Sequence, residues 1–254
     1  MNIKIINWKL YFILLVASVL SAVVVLPYAL SIQSEILKTT QIPIGLIVLI
    51  SIIQSTIMFS ILVLFGLIMA KKIGLGLPII ERLINKESLP ENTKSIIKRS
   101  VLLGILAGTL IILLDFLFGN IKTEMMSNVS IPVWQGFLAS FYGGIGEEIL
   151  LRLFFMSLIV FIISKLIKPT KTITDNNYIM WISIIITSVI FGLGHLPATA
   201  AIIAITPIVI LRAVLLNGVG GMIFGWLYWK RGLEAAIIAH FSADIILHVI
   251  TPFF

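Results

Sequence analysis

The run from Ile42 to Ala70 reads IPIGLIVLISIIQSTIMFSILVLFGLIMA and contains no charged residue. A stretch of about 20 consecutive apolar residues is long enough to cross the hydrocarbon core of a bilayer as an α-helix. A helix that is apolar on all sides must be buried, either in a large protein core or in lipid. This run therefore predicts a transmembrane helix, and it decides how the rest of the chain is interpreted.

Comparable apolar runs recur along the whole chain of 254 residues, of which 59% are hydrophobic and 11% are charged. A soluble domain holds about 25% charged residues. We therefore predict an all-α protein, a polytopic transmembrane helical bundle that has no separate soluble domain. The further predicted spans are Leu10–Leu30, interpreted as a retained helix rather than a signal peptide, Val101–Phe118, Trp134–Ile167, Ile179–His195, Ala200–Asn217 and Leu233–Ile250.

The stretch between Pro197 and Lys230 leaves the number of helices open. The apolar run 200–217 is followed by a glycine-rich apolar segment that ends at Trp229. One crossing in this stretch gives seven helices, and two crossings give eight.

The basic residues indicate orientation. The net charge is +7, with 18 Lys+Arg against 11 Asp+Glu, and most basic residues lie between apolar runs. This pattern favours the positive-inside rule and contact with anionic lipid, rather than binding of nucleic acid. It places the N-terminus and the loops 71–100 and 165–171 in the cytoplasm. Placing Lys230 and Arg231 there as well requires a single crossing after Pro197.

The loop 71–100 is the most polar stretch of the chain. Its apolar residues Leu77, Ile80, Leu83 and Ile84 recur at helical spacing. This spacing predicts an amphipathic helix that lies on the membrane surface. An ordinary solvated loop is the alternative.

Glu147, Glu148 and Arg152 lie in the middle of a predicted span. A charge at membrane depth costs about 2.5–3.5 kcal/mol on insertion scales, so such residues face the bundle interior and mark function. Glu148 and Arg152 are four residues apart and can pair on one helix face. Glu147 is rotated by about 100° and lacks that partner, which suits a general base. The glycine-rich segment 143–146 allows close helix approach or a local opening of the helix. The structural alternative is an ion pair between Glu148 and Arg152 that only fixes helix packing.

The three histidines form the other polar groups of the C-terminal half. His195 follows Phe191 by one turn near a helix end, where it is either catalytic or interfacial. His240, Asp244 and His248 form a stripe on one helix that could bind metal, relay protons, hold an oxyanion or form a polar seam between helices. We interpret His248 as interfacial. Two histidines and a glutamate also make a plausible zinc set, although the HExxH pattern is absent. The chain has no cysteine, which excludes thiolate ligands, disulfides and a cysteine nucleophile.

These residues resemble a family. Glu147-Glu148-x-x-x-Arg152, Phe191-x-x-x-His195 and His240-x-x-x-Asp244 match, in order and type, the three motifs of the CPBP family. This family comprises CAAX-prenyl-protease-2-like and bacteriocin-processing intramembrane proteases, formerly called abortive-infection proteins. The resemblance covers about residues 134–250. We therefore divide the chain into N-terminal transmembrane helices with the basic loop, residues 1–130, and a protease-like core, residues 131–254.

The resemblance implies a polar intramembrane cavity that opens toward the cytoplasm, in a protein of the bacterial plasma membrane. By analogy, Glu147 activates a water with help from His195. His240 and Asp244 stabilise the oxyanion of the tetrahedral intermediate. Glu148 and Arg152 support the site, since the arginine either locks the second glutamate or touches substrate.

One position departs from the family pattern, which often ends in Asn where this chain has Asp244. An ionised aspartate cannot donate a hydrogen bond to an oxyanion. Asp244 must therefore be protonated, orient His240 or bind metal. The resemblance implies a glutamic or a metallo-type endopeptidase, and only the metallo type would use zinc, bound by His195 and His240.

The leading hypothesis is thus an intramembrane endopeptidase that contacts lipid and cleaves a peptide or membrane-protein substrate. Bacteriocin processing, self-immunity or cleavage of a regulatory membrane protein suits this chain better than CAAX processing. A non-catalytic immunity or scaffold protein of the same fold is the second hypothesis, and a proton-coupled transporter is the third. Asp115 and Arg212 are two further charges at membrane depth, which form a mutual pair, contact lipid headgroups or serve the site.

Overall fold

The structure, a computed structural model, describes residues 6–39, 42–128, 131–167 and 172–253, and these ranges contain helices and turns but no strand. In the described ranges, six helices are long and apolar enough to cross a membrane, and a pair of helices bent by 40° makes a seventh candidate when it is counted as one span. The prediction of an all-α transmembrane bundle is confirmed. The spans are span 1, Trp8–Val24 with Leu26–Ile32; span 2, Ile44–Ile73; span 3, Thr93–Ile121; span 4, Val133–Ile167; span 5, Asn177–Ala200; span 6, Pro207–Arg231; and span 7, Leu233–Ile250.

Several spans are built from more than one helical segment. Span 4 is α-helical over Val133–Phe141 and Ser157–Ile167, with π-helical turns at Tyr142–Glu147 and Ile149–Met156 between them. Span 3 combines Thr93–Asp115 with a 3₁₀ turn at Phe116–Phe118 and the start of Gly119–Asn128. Span 5 joins Asn177–Gly194 to Leu196–Ala200. Span 7 joins Leu233–Asp244 to a π-helical turn, Ile245–Ile250. The short connecting helices are Ser34–Thr39, Pro78–Ile84, Ile173–Asp175 and Thr251–Phe253.

Local sequence signals explain where the spans begin and end. The side chain of Asn176 accepts a hydrogen bond from the Ile179 backbone N–H, and that of Thr206 accepts one from Val209, so both residues cap helices. Gly232 separates spans 6 and 7 with a φ of 97°, a conformation that favours glycine. These two spans therefore form a tight helical hairpin.

Span 6 resolves the number of crossings. Pro207–Arg231 is one uninterrupted helix of 25 residues, so the glycine-rich segment before Trp229 continues the helix instead of starting another. The structure agrees with the seven-helix alternative and not with the eight-helix one. The cause is that glycine in a transmembrane helix is tolerated where neighbouring helices pack closely.

The polar stretch 71–100 is shortened at both ends by its neighbours. Span 2 continues to Ile73 and span 3 begins at Thr93, and the loop between them holds only the seven-residue helix Pro78–Ile84. Leu77 is fully buried, whereas Leu83 is 57% exposed. A short helix therefore forms where the apolar spacing predicts one, and it docks on the bundle; its position on the membrane surface stays a prediction.

The alternating spans give the bundle two ends. Spans 1, 3, 5 and 7 begin, and spans 2, 4 and 6 finish, at what we call the basic end. Contacts there join distant parts of the chain: the Leu233 N–H donates to the Gly76 carbonyl, and the Trp229 indole donates to the Thr174 carbonyl. At the opposite end, Tyr28 of span 1 meets His248 of span 7, with 5.8 Å between the ring centroids.

Spans 4 and 7 lie at the centre of the bundle. Span 7 packs against spans 3, 4 and 6, and span 4 packs against spans 1, 2, 5 and 7. Span 2 shows the outer arrangement, with one face buried and the other face apolar and exposed. Its exposed residues, which the bilayer would cover, include Leu46, Leu49, Ile53, Ile57 and Ile61. The central position of spans 4 and 7 brings their polar residues together away from lipid.

Candidate active site

Glu148 is the centre of the polar cluster. It is fully buried, and its Oε1 lies 2.9 Å from Arg152 Nη1 and 2.8 Å from His240 Nδ1. The Arg152 contact is an ion pair whose angle lies outside hydrogen-bond geometry, because Nη1 has no hydrogen-bond partner among the described residues. The contact with His240 joins spans 4 and 7 and is a directed hydrogen bond, in which the imidazole N–H donates.

The Arg152 side chain is held by one hydrogen bond and two aromatic rings. Its Nη2 donates to the Gly221 carbonyl at 3.2 Å, and its guanidinium carbon lies 5.2 Å and 5.6 Å from the ring centroids of Phe191 and Phe224. A desolvated cation over an aromatic face gains about 2 kcal/mol. With 1% of its surface exposed, Arg152 locks Glu148 and has no open path to substrate.

His240 is fixed by the residues around its ring. Phe224 stacks on it at 4.6 Å with an interplanar angle of 20°, and Phe191 meets it edge-on at 5.5 Å. Because Nδ1 donates to Glu148, Nε2 is the atom available for chemistry. Nε2 lies 3.7 Å from Glu147 Oε2 and 3.7 Å from Asp244 Oδ1.

Glu147 and Asp244 therefore face the same atom from two helices. Both distances exceed a direct hydrogen bond and suit groups that share a bridging water or a substrate oxygen. The Glu147 side chain is 22% exposed and makes no hydrogen bond to another side chain in the part of the chain that the structure describes. Glu147 is thus the accessible carboxylate, and Glu148 is the buried one.

The backbone of span 4 makes room for these contacts. A Cβ on Gly143 would collide with the Asp244 carboxylate and lie 3.2 Å from His240 Nε2. The π-helical turns on either side of Glu148 are of the kind that occurs often at functional sites. The expectation that the glycine-rich segment 143–146 allows close approach is confirmed at Gly143.

His195 joins the cluster through an aromatic ring. Its Nδ1 lies 2.9 Å from the Phe191 carbonyl oxygen, and its ring meets the Phe191 ring at 4.9 Å. The same Phe191 ring contacts His240, so the two histidines lie on two sides of one phenylalanine. With Nδ1–H assigned to the carbonyl, His195 Nε2 is an acceptor. Within the described ranges, no hydrogen bond joins His195 to Glu147.

We use the name polar seam for Glu147, Glu148, Arg152, His240, Asp244 and His248. His248 extends it by one turn, with its Nε2 4.0 Å from Asp244 Oδ1 and 36% of its side chain exposed. The sequence reasoning found these residues but missed the Glu148–His240 bond, the stacking of Phe224 and the position of Tyr28 beside His248. An aromatic residue in an apolar helix carries no signal that would have singled out either ring.

A zinc site is one alternative that the sequence leaves open for these residues. Over residues 6–39, 42–128, 131–167 and 172–253, no group of three or more His, Asp or Glu side chains has an arrangement suited to a metal ion. The Nδ1 atoms of His195 and His240 are hydrogen-bonded to a carbonyl and to Glu148, which leaves their Nε2 atoms as the nitrogens available to a ligand.

Asp115 and Arg212 form a second ion pair. Arg212 Nε donates to Asp115 Oδ1 at 2.8 Å, and its Nη1 lies 3.4 Å from Met125 Sδ. The side chains are 13% and 17% exposed. Of the alternatives that the sequence left open, the mutual pair is the one that forms.

A comparison with known protein families finds one family for the C-terminal half of the chain. The family model of type II CAAX prenyl endopeptidase Rce1-like proteins matches residues 129–246. The matched segment contains spans 4 to 6, most of span 7 and every polar-seam residue except His248. No curated protein and no solved structure matches the chain significantly.

Proposed function

Since residues 129–246 belong to the Rce1-like family of type II CAAX prenyl endopeptidases, we propose that this membrane protein hydrolyses a peptide bond with a water activated by Glu147. The observation that carries the proposal is the Glu148–His240 hydrogen bond at 2.8 Å. It directs Nε2 of the imidazole toward Glu147 and Asp244. A purely structural ion pair between Glu148 and Arg152 would not need this third partner.

Glu147 is the general base of the proposed reaction. It is the one glutamate of the pair with an exposed side chain, and no neighbouring cation binds its carboxylate directly in the described structure. A base must reach the proton that it abstracts at about 2.6–3.2 Å, either directly or through one water. A water between Glu147 and the scissile carbonyl meets this requirement. We propose that His195, which lies against Phe191, assists as a second acceptor.

His240 stabilises the oxyanion in this scheme. Its Nε2 faces the space between Glu147 and Asp244, and it donates a hydrogen bond when the ring carries both protons. Removal of one donor of this kind costs about 10²–10³ in rate. The 3.7 Å approach of Asp244 Oδ1 to Nε2 supports an orienting role for Asp244, one of the alternatives that its departure from asparagine raised.

The remaining residues hold this geometry. Arg152 and Glu148 neutralise one another and fix the imidazole, and Phe224 prevents the ring from tilting. We propose a glutamic-type reaction, because no group of three or more His, Asp or Glu side chains in the described residues is arranged to hold a metal ion. For the substrate we propose a membrane-associated peptide, with bacteriocin processing or self-immunity as the biological setting.

The test is cleavage of a mixed library of membrane peptides in liposomes. Wild type, Glu147→Gln and His195→Ala are compared, each with and without a chelator, and Asp115→Asn serves as a control for the loss of a membrane-depth charge. We expect cleavage by wild type and by the control, none by Glu147→Gln, and no effect of the chelator. Chelator-sensitive cleavage would establish the zinc alternative. Absence of cleavage by wild type, with immunity retained in Glu147→Gln, would favour the non-catalytic immunity protein.

A further inference from the structure

The polar seam is exposed progressively along span 7. His240, Asp244 and His248 are successive turns of one helix, each about 6 Å further from the basic end. Their side chains are 6%, 12% and 36% exposed. The seam therefore opens toward the end of the bundle where span 7 finishes.

Span 4 shows the same gradient in the reverse chain direction. It runs toward the basic end, so Arg152 lies deeper on that side than Glu147. Arg152 is 1% exposed and Glu148 is fully buried, whereas Glu147 is 22% exposed. Two antiparallel helices thus agree on the direction of access.

The basic end is closed by a set of hydrogen bonds, which we call the clasp, between the segment around the helix Pro78–Ile84 and the start of span 7. The Glu234 carboxylate accepts hydrogen bonds from the backbone N–H groups of Ile79 and Ile80 at 2.9 Å and 2.8 Å. The Leu233 N–H donates to the Gly76 carbonyl at 3.0 Å. Leu77 and Leu233 are fully buried beneath these bonds.

A packed layer lies between the clasp and the seam. The Ser157 and Tyr228 hydroxyls are hydrogen-bonded to each other at 2.8 Å, and both residues are fully buried. Leu153, Met156 and Leu227 fill the space around them with at most 1% of their surface exposed. A peptide cannot pass this layer without unpacking the core.

The charges identify the two sides of the membrane. Among the described residues, the segments at the basic end carry Lys9, Lys71, Lys72, Arg82, Lys86, Lys94, Lys98, Arg99, Lys165, Lys230 and Arg231. The segments at the opposite end carry Lys38 and Lys122. The positive-inside rule therefore places the basic end in the cytoplasm.

We propose that the polar seam is entered from the extracytoplasmic side, through the mouth formed by Tyr28 and His248, and not from the cytoplasm. The substrate class, which rests on the proposed endopeptidase function, is then a peptide segment presented at the outer surface or outer leaflet. A prenylated C-terminus in the cytosol would face the closed basic end and would not reach the polar seam. This direction replaces the cytoplasmic opening that the family resemblance implies.

The absence of cysteine from the sequence makes the test direct. Single-cysteine variants His248→Cys and Tyr28→Cys report on the mouth, and Ser157→Cys reports on the packed layer. The exposed positions Ser88→Cys and Thr39→Cys mark the basic and opposite ends. A membrane-impermeant maleimide is applied to intact bacterial cells and to inverted membrane vesicles.

We expect at least one mouth variant to be labelled from the side that labels Thr39→Cys, neither to be labelled from the side that labels Ser88→Cys, and Ser157→Cys to stay unlabelled. Labelling of a mouth variant from the Ser88 side, or of neither variant from any side, would overturn the direction of access. Labelling of Ser88→Cys in intact cells would show that the basic end lies outside, and it would overturn the assignment of the mouth to the outer surface.

A second arm tests the substrate class. Library peptides are added to right-side-out and to inverted vesicles that contain the wild-type protein. Cleavage in right-side-out vesicles alone supports the proposal, and cleavage in inverted vesicles overturns it while leaving the endopeptidase function intact. If neither preparation cleaves, the proposed function fails, and the labelling result, which needs no activity, still decides the direction of access.

Discussion

Two acid–arginine pairs lie at membrane depth, and they differ in what surrounds them. Asp115 and Arg212 form a balanced pair at 2.8 Å whose side chains are 13% and 17% exposed. Glu148 and Arg152 form a pair at 2.9 Å that is almost completely buried, and a histidine and two further carboxylates adjoin it. The first pair contains one positive and one negative charge, whereas the second pair belongs to a cluster that contains more carboxylates than arginines.

The difference separates structural from chemical use of charge. A balanced pair removes most of the cost of placing two ions in an apolar medium, and nothing more is needed for folding. Surplus carboxylates add a further cost that packing does not explain. The polar seam retains Glu147 and Asp244 beside one imidazole, which is the arrangement that acid–base chemistry requires.

Loss of the buried arginine should have the largest effect. Arg152→Met leaves Glu148 buried without its cation, and removal of one partner of a buried pair costs about 3–5 kcal/mol. We expect a fall of this size in the free energy of unfolding in mixed micelles, together with loss of cleavage. The double variant with Glu148→Gln should recover part of the stability but none of the activity. A single variant as stable as wild type would contradict this account of the pair.

Loss of the exposed glutamate should leave the fold intact and abolish the chemistry. Glu147→Gln keeps the shape of the side chain but removes the base, and general-base catalysis contributes about 10²–10⁴ in rate. We expect the initial rate of cleavage to fall by about 10³ with an unchanged unfolding temperature. A rate within a few fold of wild type would exclude Glu147 as the base.

Narrowing the approach between spans 4 and 7 should have a smaller effect on the rate. A Cβ at Gly143 would displace the Asp244 carboxylate and crowd His240 Nε2. A displacement of about 1 Å costs about 10²-fold in rate, which is the loss expected for Gly143→Ala. Gly218→Ala is the matched control, because a Cβ there has no atom within 4 Å. Equal rates for both variants would show that the close approach at Gly143 is not needed.

Removal of the balanced pair should have the smallest effect. Asp115→Asn removes one charge of an ion pair whose side chains are 13% and 17% exposed, so the remaining Arg212 is less buried than Glu148 would be without Arg152. The amide oxygen of asparagine can still accept the arginine hydrogen bond. We expect a loss of stability smaller than that of Arg152→Met and cleavage at the wild-type rate. A large loss of activity in this variant, at wild-type stability, would make the Asp115–Arg212 pair part of the site.

The sequence predicted the spans well because a long apolar run has few alternatives. It left the number of crossings between Pro197 and Lys230 ambiguous, since the glycines at 218, 220 and 221 are compatible with a break or with close packing, and only the neighbouring helices decide. The apolar spacing in loop 71–100 corresponds to the short helix Pro78–Ile84, but the spacing alone does not show that Leu77 is buried against the bundle. Both points depend on tertiary contacts, which a local pattern does not contain.

The site residues could be proposed from three motifs, but their pairing could not. Spacing along one helix indicated that Glu148 faces Arg152. No spacing connects Glu148 to His240, which is 92 residues away on another helix. The stacking of Phe224 and the direction in which the seam opens are likewise properties of the packed bundle.

The most direct test of the central claim is the source of the oxygen in the new C-terminus. The peptide of the library that wild type cleaves best is incubated with the reconstituted protein in ¹⁸O-labelled water, and the products are analysed by mass spectrometry. If Glu147 activates a water, the new carboxyl group carries one ¹⁸O atom in wild type, and Glu147→Gln yields no product. A product without ¹⁸O, or labelled product formed at the wild-type rate by Glu147→Gln, would contradict the claim.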